Sequence, residues 1–121
     1  MSDLERARFA RLVRRALRDL PPEFGRRMRN VEIVTDDEPE PDKVKPGQEL
    51  LGLYEGVPLT ERFDEPLMPD RISIYRGPIQ RMSSSPRRQA QIVRDTVMHE
   101  IAHHFGISDA RLAELGRGDA D

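Results

Sequence analysis

The three histidines of this 121-residue chain lie close together, in the string HEIAHHFGISD at residues 99–109. The preceding residues predict that this string ends a helix, because the serines at 83–85 can cap a first turn that begins with Pro86. Gly106 stands where a left-handed cap would end the helix after Phe105. Apolar residues occupy the other faces of this helix, so we expect it to be central and buried: Val93, Val97, Met98, Ile101, Ala102 and Phe105. The chain must therefore bury a helix that carries several titratable side chains.

His99 and His103 are about 40° apart on this helix, so both imidazoles can reach one metal ion. Glu100 lies about 100° from His99, where it can reach a metal-bound water without ligating the ion. This H-E-x-x-H arrangement is that of zinc hydrolases, in which the metal lowers the pKa of a water and the glutamate takes its proton. Shuffling the composition gives only about 0.004 such matches per chain. The alternative is a helix with polar residues and no metal, but buried imidazoles and carboxylates need partners.

A third protein ligand is expected beyond the helix. Asp109 is a hard oxygen ligand that can swing back beneath the ion. Alternatively, its carboxylate occupies the first turn of a short final helix over 108–115, where it suits the helix dipole. Glu114 is the fallback ligand. His104 points away from His103, so we expect either a packed or surface histidine, or a residue that orients the site or contacts a substrate.

The rest of the sequence predicts one further helix and three short strands. Ser2 and Glu5 form a capping-box pattern, after which apolar residues recur at helical spacing until Pro21-Pro22. The predicted strands are Val31–Thr35, Leu50–Tyr54 and Arg71–Arg76, the last one ended by Gly77-Pro78. Three short strands cannot form a barrel or a sandwich, so we expect an α+β fold.

The length is that of a single domain over residues 1–121. The acidic, proline-broken stretch 36–48 is interpreted as a flexible surface loop. The net charge is +5 over residues 1–30 and −9 over residues 31–70. Six arginines lie on the polar face of the first helix: Arg6, Arg8, Arg11, Arg14, Arg15 and Arg18. That face is either a nucleic-acid or membrane-surface face or simply a solvated one, and nearby acids favour the solvated face.

Several classes of protein are excluded by composition. The chain has no cysteine, so disulfides, thiolate metal sites and cysteine nucleophiles are ruled out. No apolar run approaches the length of a membrane span, and the N-terminus has no secretory hydrophobic region. We therefore expect a cytoplasmic protein.

Three segments resemble the bacterial minimal zincin-like metallopeptidase family: His99–Asp109, Leu51–Thr60 and Asp70–Arg76. The resemblance covers roughly residues 20–116. It implies a minimal zincin-like fold, with a small sheet of three to four strands, an N-terminal backing helix, a buried active-site helix and a short C-terminal helix. It also implies Glu100 as the general base and three ligands for one Zn²⁺: His99, His103 and Asp109.

The extended pattern H-E-x-x-H-x-x-G-x-x-D is also similar to metzincins, and more closely to the snapalysin type. The last methionine is Met98, inside the metal helix, so the methionine turn of metzincins is absent. Zincins place an extended substrate along an edge strand, for which Arg71–Arg76 is the candidate. Tyr54 or Tyr75 is either an oxyanion donor or a half-buried packing residue.

These patterns favour a zinc-dependent peptidase that acts on a peptide or protein, with a protein partner as one way to complete the small cleft. A metal-dependent ribonuclease would use the arginine face to bind RNA. The sequence lacks the three-histidine pattern of rRNA-maturation endoribonucleases, so neither nucleic acid nor a membrane is the expected partner. The remaining alternative is a non-catalytic, metal-stabilised interaction module.

Overall fold

The computed structural model describes residues 2–20, 22, 31–56 and 70–106. In this part of the chain, three helices and a three-stranded mixed sheet form an α+β fold, which confirms the predicted fold class. The helices are α1 (Asp3–Arg18), α2 (Arg76–Met82) and α3 (Pro86–His104). The strands are β1 (Val31–Asp36), β2 (Gly52–Glu55) and β3 (Asp70–Tyr75), and one 3₁₀ turn covers Pro41–Lys43.

Both long helices begin as the sequence predicts. The Ser2 hydroxyl accepts a hydrogen bond from the backbone N–H of Glu5 at 3.1 Å. The Ser85 hydroxyl accepts one from the N–H of Arg88 at 3.3 Å, and Pro86 is the first helical residue. Each serine satisfies a backbone donor that has no partner within its helix, which is why the helices start there.

The end of α3 lies one residue before the predicted end, and Phe105 is the C-cap. Gly106 has a φ of +79°, a left-handed conformation that glycine adopts without strain. Its N–H donates to the carbonyl of His103 at 2.9 Å, which closes the last turn. The short helix predicted over 108–115 lies outside the described residues.

The strand β3 is the centre of the sheet and not its edge. It pairs in parallel with β1 and antiparallel with β2. The prediction that the strand at 71–76 is the substrate-binding edge was therefore wrong. Alternation of apolar residues marks a strand with a buried face, but it carries no information on how many neighbours the strand has. In the described part of the chain, β2 is an edge strand on the side facing away from β1.

The helix α2 was missed, because Gly77-Pro78 was interpreted as the end of a strand. Both residues lie in the first turn of α2, where proline is tolerated because its missing N–H would have no partner in the helix. The N–H of Gly77 instead donates to the carbonyl of Asp37 at 2.8 Å. A Cβ on Gly77 would lie 1.5 Å from a carboxylate oxygen of Glu38, so glycine permits this close approach.

The acidic segment 36–49 is held against α1 and α2 by ion pairs. Arg81 contacts Glu38 at 2.8 Å and Glu49 at 2.9 Å. Arg6 and Arg76 both contact Asp37, each at 2.9 Å. The segment is irregular apart from its 3₁₀ turn, as its prolines predict, but these contacts fix both of its ends.

The hydrophobic core lies between α1, the sheet and α3. Apolar residues of α1 pack with β3 and with the buried face of α3, and Ile79 of α2 joins them. The core residues of the two long helices and of β3 are Phe9, Val13, Ala16, Ile72, Ile74, Ile92, Val93, Val97 and Ile101. This packing fixes α3 against the sheet, and thereby fixes the string of histidines at its end.

Candidate metal centre

Three titratable side chains converge on the last turns of α3. The rings of His99 and His103 lie edge to face, with centroids 4.6 Å apart. The Nδ1 of His103 is 3.4 Å from the Oε1 of Glu100. One potential ligand atom from each of the three residues lies within 4.8 Å of the others. Residues three and four apart share a helix face, so the spacing in the sequence produces this convergence directly.

Burial of the cluster is uneven. His99 is 7% exposed and Glu100 is 6% exposed, whereas the side chain of His103 is 29% exposed. The cluster therefore opens to solvent on the side of His103. Buried imidazoles and carboxylates are tolerated when they are paired or coordinate a metal.

The donors fit a zinc ion. Two imidazole nitrogens and carboxylate oxygens are the ligand types that zinc takes in proteins without cysteine. A catalytic zinc site needs three protein ligands and an open position, and the exposed side of His103 gives access to the cluster. Asp109 and its fallback Glu114, the candidates for the third ligand, lie outside the described residues.

Glu100 lies beneath β2. A Cβ added to Gly52 would be 2.9 Å from the Thr96 methyl group and 3.1 Å from the Cγ of Glu100. Glycine at position 52 therefore lets the strand approach the helix closely enough to cover Glu100. Sequence reasoning placed Glu100 at the edge of the histidine face, but it gave no sign that a glycine from a distant strand packs on it.

His104 is fully buried and lies behind the cluster. Its Nδ1 is 2.9 Å from the Oδ2 of Asp70, and since a carboxylate accepts hydrogen bonds, the imidazole donates here. The hydroxyl of Tyr54 donates to the same oxygen. The Tyr54 ring also meets His104 edge-on, with centroids 5.9 Å apart. In this structure, Tyr54 therefore holds Asp70, and its role as an oxyanion donor stays a prediction.

Sequence reasoning missed Asp70. It is 3% exposed and is the first residue of β3, so its bond to His104 ties the central strand to the last turn of α3. The local sequence gives no sign of the contact between Asp70 and His104, because the two residues are 34 positions apart. In addition, Asp70 follows a proline-rich stretch typical of a loop.

Tyr75, the other oxyanion candidate, lies on the face of the sheet opposite α3. Ile72 and Ile74 point to the core, and successive residues of a strand point to opposite faces, so Tyr75 points away from the core. Burial raises the pKa of its phenol above the usual value. This placement separates Tyr75 from the three converging residues.

An α+β fold with a small sheet above a helix that carries H-E-x-x-H defines a metallopeptidase architecture of zincin type. The family profile described as zincin-like metallopeptidase matches residues 28–118, and the chain belongs to this family. A solved structure of a conserved hypothetical protein from Thermus thermophilus is similar, with 26% identity and a TM-score of 0.58. The match covers 92% of this chain and 97% of that one. No curated protein matches this chain.

Among the described residues, no helix combines the length and apolar character that crossing a bilayer requires.

Proposed function

We propose that this protein is a zinc-dependent peptidase that uses Glu100 as its general base. The observation that carries the proposal is the convergence of His99, Glu100 and His103 at the partly open end of a buried helix. Membership of the zincin-like metallopeptidase family supports the same reaction class. His99 and His103 would bind the ion, with Asp109 as the proposed third ligand.

The chemistry divides between the ion and the chain. A zinc ion in this position supplies a Lewis acid that polarises the scissile carbonyl and lowers the pKa of a water to about 7. Glu100 takes the proton from the attacking water and delivers it to the leaving nitrogen, so no covalent enzyme intermediate forms. The packing of Gly52 on Glu100 restricts where this carboxylate can move.

The substrate is proposed to bind as an additional strand on β2. In the described part of the chain β2 pairs only with β3, so its other edge offers backbone groups to an extended peptide. Because Gly52 of β2 lies directly above Glu100, a peptide on this edge passes beside the proposed general base. This assigns to β2 the role that the sequence suggested for the strand at 71–76.

Two variants test the proposal by separate measurements. Glu100→Gln is expected to retain one zinc per chain but to lose peptide hydrolysis by a factor of at least about 100, because it cannot accept a proton. His103→Ala is expected to lose the zinc as well, since it removes one ligand. Metal analysis after dialysis measures the zinc bound per chain, and digestion of a peptide library measures peptide hydrolysis.

Asp95→Asn is the matched control, because Asp95 lies on the same helix outside the cluster. We expect it to keep both zinc and activity. Equal hydrolysis by Glu100→Gln and the unaltered protein would remove Glu100 from the mechanism. Full zinc occupancy in His103→Ala would show that the metal binds elsewhere.

A further inference from the structure

A groove of about 860 Å³ lies along α1, away from the metal centre. Its apolar lining includes Phe9, Leu12 and Leu17 of α1 and Pro86 at the start of α3. Five exposed arginines of α1 also line it: Arg8, Arg11, Arg14, Arg15 and Arg18. We call this surface the arginine groove. It reaches α3 at Gln89, about 15 Å along the helix axis from His99.

Within the described part of the chain, the five arginines lack the carboxylate partners that Arg6, Arg71, Arg76 and Arg81 have. In the residues that the structure describes, no carboxylate lies within ion-pair distance of any of the five. By contrast, Arg71, Arg76 and Arg81 each contact at least one carboxylate. Glu5, the one acid among the described residues that line the groove, has its carboxylate 3.8 Å from Arg76.

The spacing of these arginines is unfavourable for the helix itself. Arg11 and Arg15 are four residues apart, and so are Arg14 and Arg18, which brings like charges together on one side of the helix. Such pairs destabilise a helix, and a bound anion would relieve the repulsion. As far as the described residues go, the groove therefore combines apolar surface with positive charge that is not paired with a carboxylate.

We propose that the arginine groove docks an acidic, amphipathic segment of another polypeptide. Its apolar side chains would cover Leu12 and Leu17, which are only partly buried, and its carboxylates would pair with the arginines. Guanidinium groups bind carboxylates through two parallel hydrogen bonds, which makes arginine well suited to this role. Charge complementarity and the apolar lining together select such a ligand.

Two other partners fit the groove less well. Single-stranded nucleic acid binds by stacking its bases on accessible aromatic rings. Phe9, the aromatic residue that the structure describes in the groove, is only 3% exposed. A membrane surface would require α1 to insert an apolar face, but Phe9, Val13 and Ala16 on that face are already buried in the core.

If the docked polypeptide is the substrate, the groove sets its class: proteins with an acidic segment near the cleavage site. This step rests on the proposed peptidase function, whereas docking itself does not. An extended chain covers at most about 3.5 Å per residue, so about five residues would bridge the 15 Å or so between Gln89 and His99.

Fluorescence anisotropy with a labelled peptide of leucine and glutamate, about 15 residues long, tests the docking. Carrying Glu100→Gln in the unaltered groove and in every variant keeps the zinc in place and makes the measurement, at low salt, independent of hydrolysis. The unaltered protein is expected to bind this peptide, and to bind a matched peptide with glutamine in place of glutamate at least about tenfold more weakly. Arg11→Glu with Arg15→Glu should weaken binding of the acidic peptide by a similar factor.

Arg88→Glu with Arg94→Glu is the matched control, since both arginines are exposed and neither lines the groove. This control changes the net charge by the same amount as the groove variant. It should leave the affinity for the acidic peptide within about twofold of that of the unaltered protein. Equal loss in the two double variants, or equal binding of the two peptides, would overturn the proposal. Tighter binding of oligouridylate than of the acidic peptide, lost in the groove variant alone, would overturn it in favour of nucleic acid.

Discussion

Two groups of charged and polar side chains in this molecule differ in burial. The buried cluster joins Asp70, Tyr54 and His104 behind His99, Glu100 and His103. The surface network joins Arg6 and Arg81 to Asp37, Glu38 and Glu49, and the buried Arg76 also contacts Asp37. In the first group His104 and Asp70 are almost fully buried, whereas the side chains of Arg81 and Glu38 are about half exposed.

This difference in burial has an energetic meaning. The surface network holds the segment before β2 in place, whereas the burial of the polar cluster behind α3 needs another explanation. Exposed ion pairs form at little cost, and each contributes little to stability. Buried polar groups lose their hydration and are tolerated only when partners replace it. Among the described residues, the Nε2 of His104 is buried without a hydrogen-bond partner, so this region carries a cost that a well-packed apolar core would avoid. A cost of this kind at the end of α3 fits a site kept for function.

The largest expected effect comes from removing Asp70. Asp70→Ala removes the acceptor of the buried Nδ1 of His104 and breaks the bond from the partly buried Tyr54 hydroxyl, so we expect a loss of about 2–4 kcal/mol in the free energy of unfolding. Urea denaturation of the metal-free protein measures this. Asp70→Asn keeps an acceptor oxygen and should cost less.

Glu38→Ala is the matching change in the surface network, and we expect it to cost less than about 1 kcal/mol, because both partners of the pair with Arg81 are half exposed. If Glu38→Ala destabilised the protein as much as Asp70→Ala, burial would not be what distinguishes the two groups.

A smaller effect is expected from Gly52→Ala. The new methyl group would meet Thr96 at 2.9 Å and Glu100 at 3.1 Å, so we expect a loss of about 1–3 kcal/mol from overpacking. Because the methyl group displaces Glu100, peptide hydrolysis should fall while zinc binding by His99 and His103 remains. Thermal denaturation, metal analysis and the peptide digest measure the three properties.

Gly47→Ala is the control for Gly52→Ala, because it introduces backbone strain without a steric clash. Gly47 has a φ of +78°, but a Cβ there would meet nothing within 4 Å. We expect it to cost about 1 kcal/mol through backbone strain and to leave hydrolysis unchanged. A similar loss of hydrolysis in both variants would show that general destabilisation, and not the position of Glu100, lowers the activity.

The sequence predicts those parts of the molecule whose structure is determined by local patterns of residues. The boundaries of α1 and α3 depend on caps at Ser2, Ser85 and Gly106, and each acts within a few residues of the chain. The convergence of His99 and His103 follows from helical spacing alone. These features could be predicted because no distant residue takes part in them.

The parts that could not be predicted depend on contacts between distant segments. The order of strands made β3 central, although its alternating pattern alone fits an edge equally well. The helix α2 starts at Arg76, and the N–H of Gly77 in its first turn donates to the carbonyl of Asp37, 40 residues earlier. Asp70 reaches His104 only once the sheet lies on α3. The third ligand proposed at Asp109 stays a prediction.

The smallest expected effect concerns the acid sensitivity of the surface network. Hydrogen bonds from Arg6 lower the pKa of Asp37 below its ordinary 3.8, and hydrogen bonds from Arg81 lower the pKa of Glu38 below its ordinary 4.5. A carboxyl group whose pKa is lower in the folded state stabilises that state above its unfolded pKa, and this contribution is lost as the pH falls through the folded pKa. We therefore expect the urea midpoint to fall below about pH 4.5, and to fall less steeply in Arg81→Gln.

Added salt distinguishes the acid sensitivity of the surface network from the destabilisation caused by Asp70→Ala in the buried cluster. Added salt screens exposed charges, so the difference in pH dependence between Arg81→Gln and the unaltered protein should shrink in 1 M NaCl, where the screening length is about 3 Å. The destabilisation by Asp70→Ala should persist there, because buried groups are screened much less. If both effects vanished in salt, the buried cluster would behave as a surface network, and its cost would no longer indicate a site kept for function. If neither changed, the exposed ion pairs of the 36–49 segment would contribute more than their exposure allows.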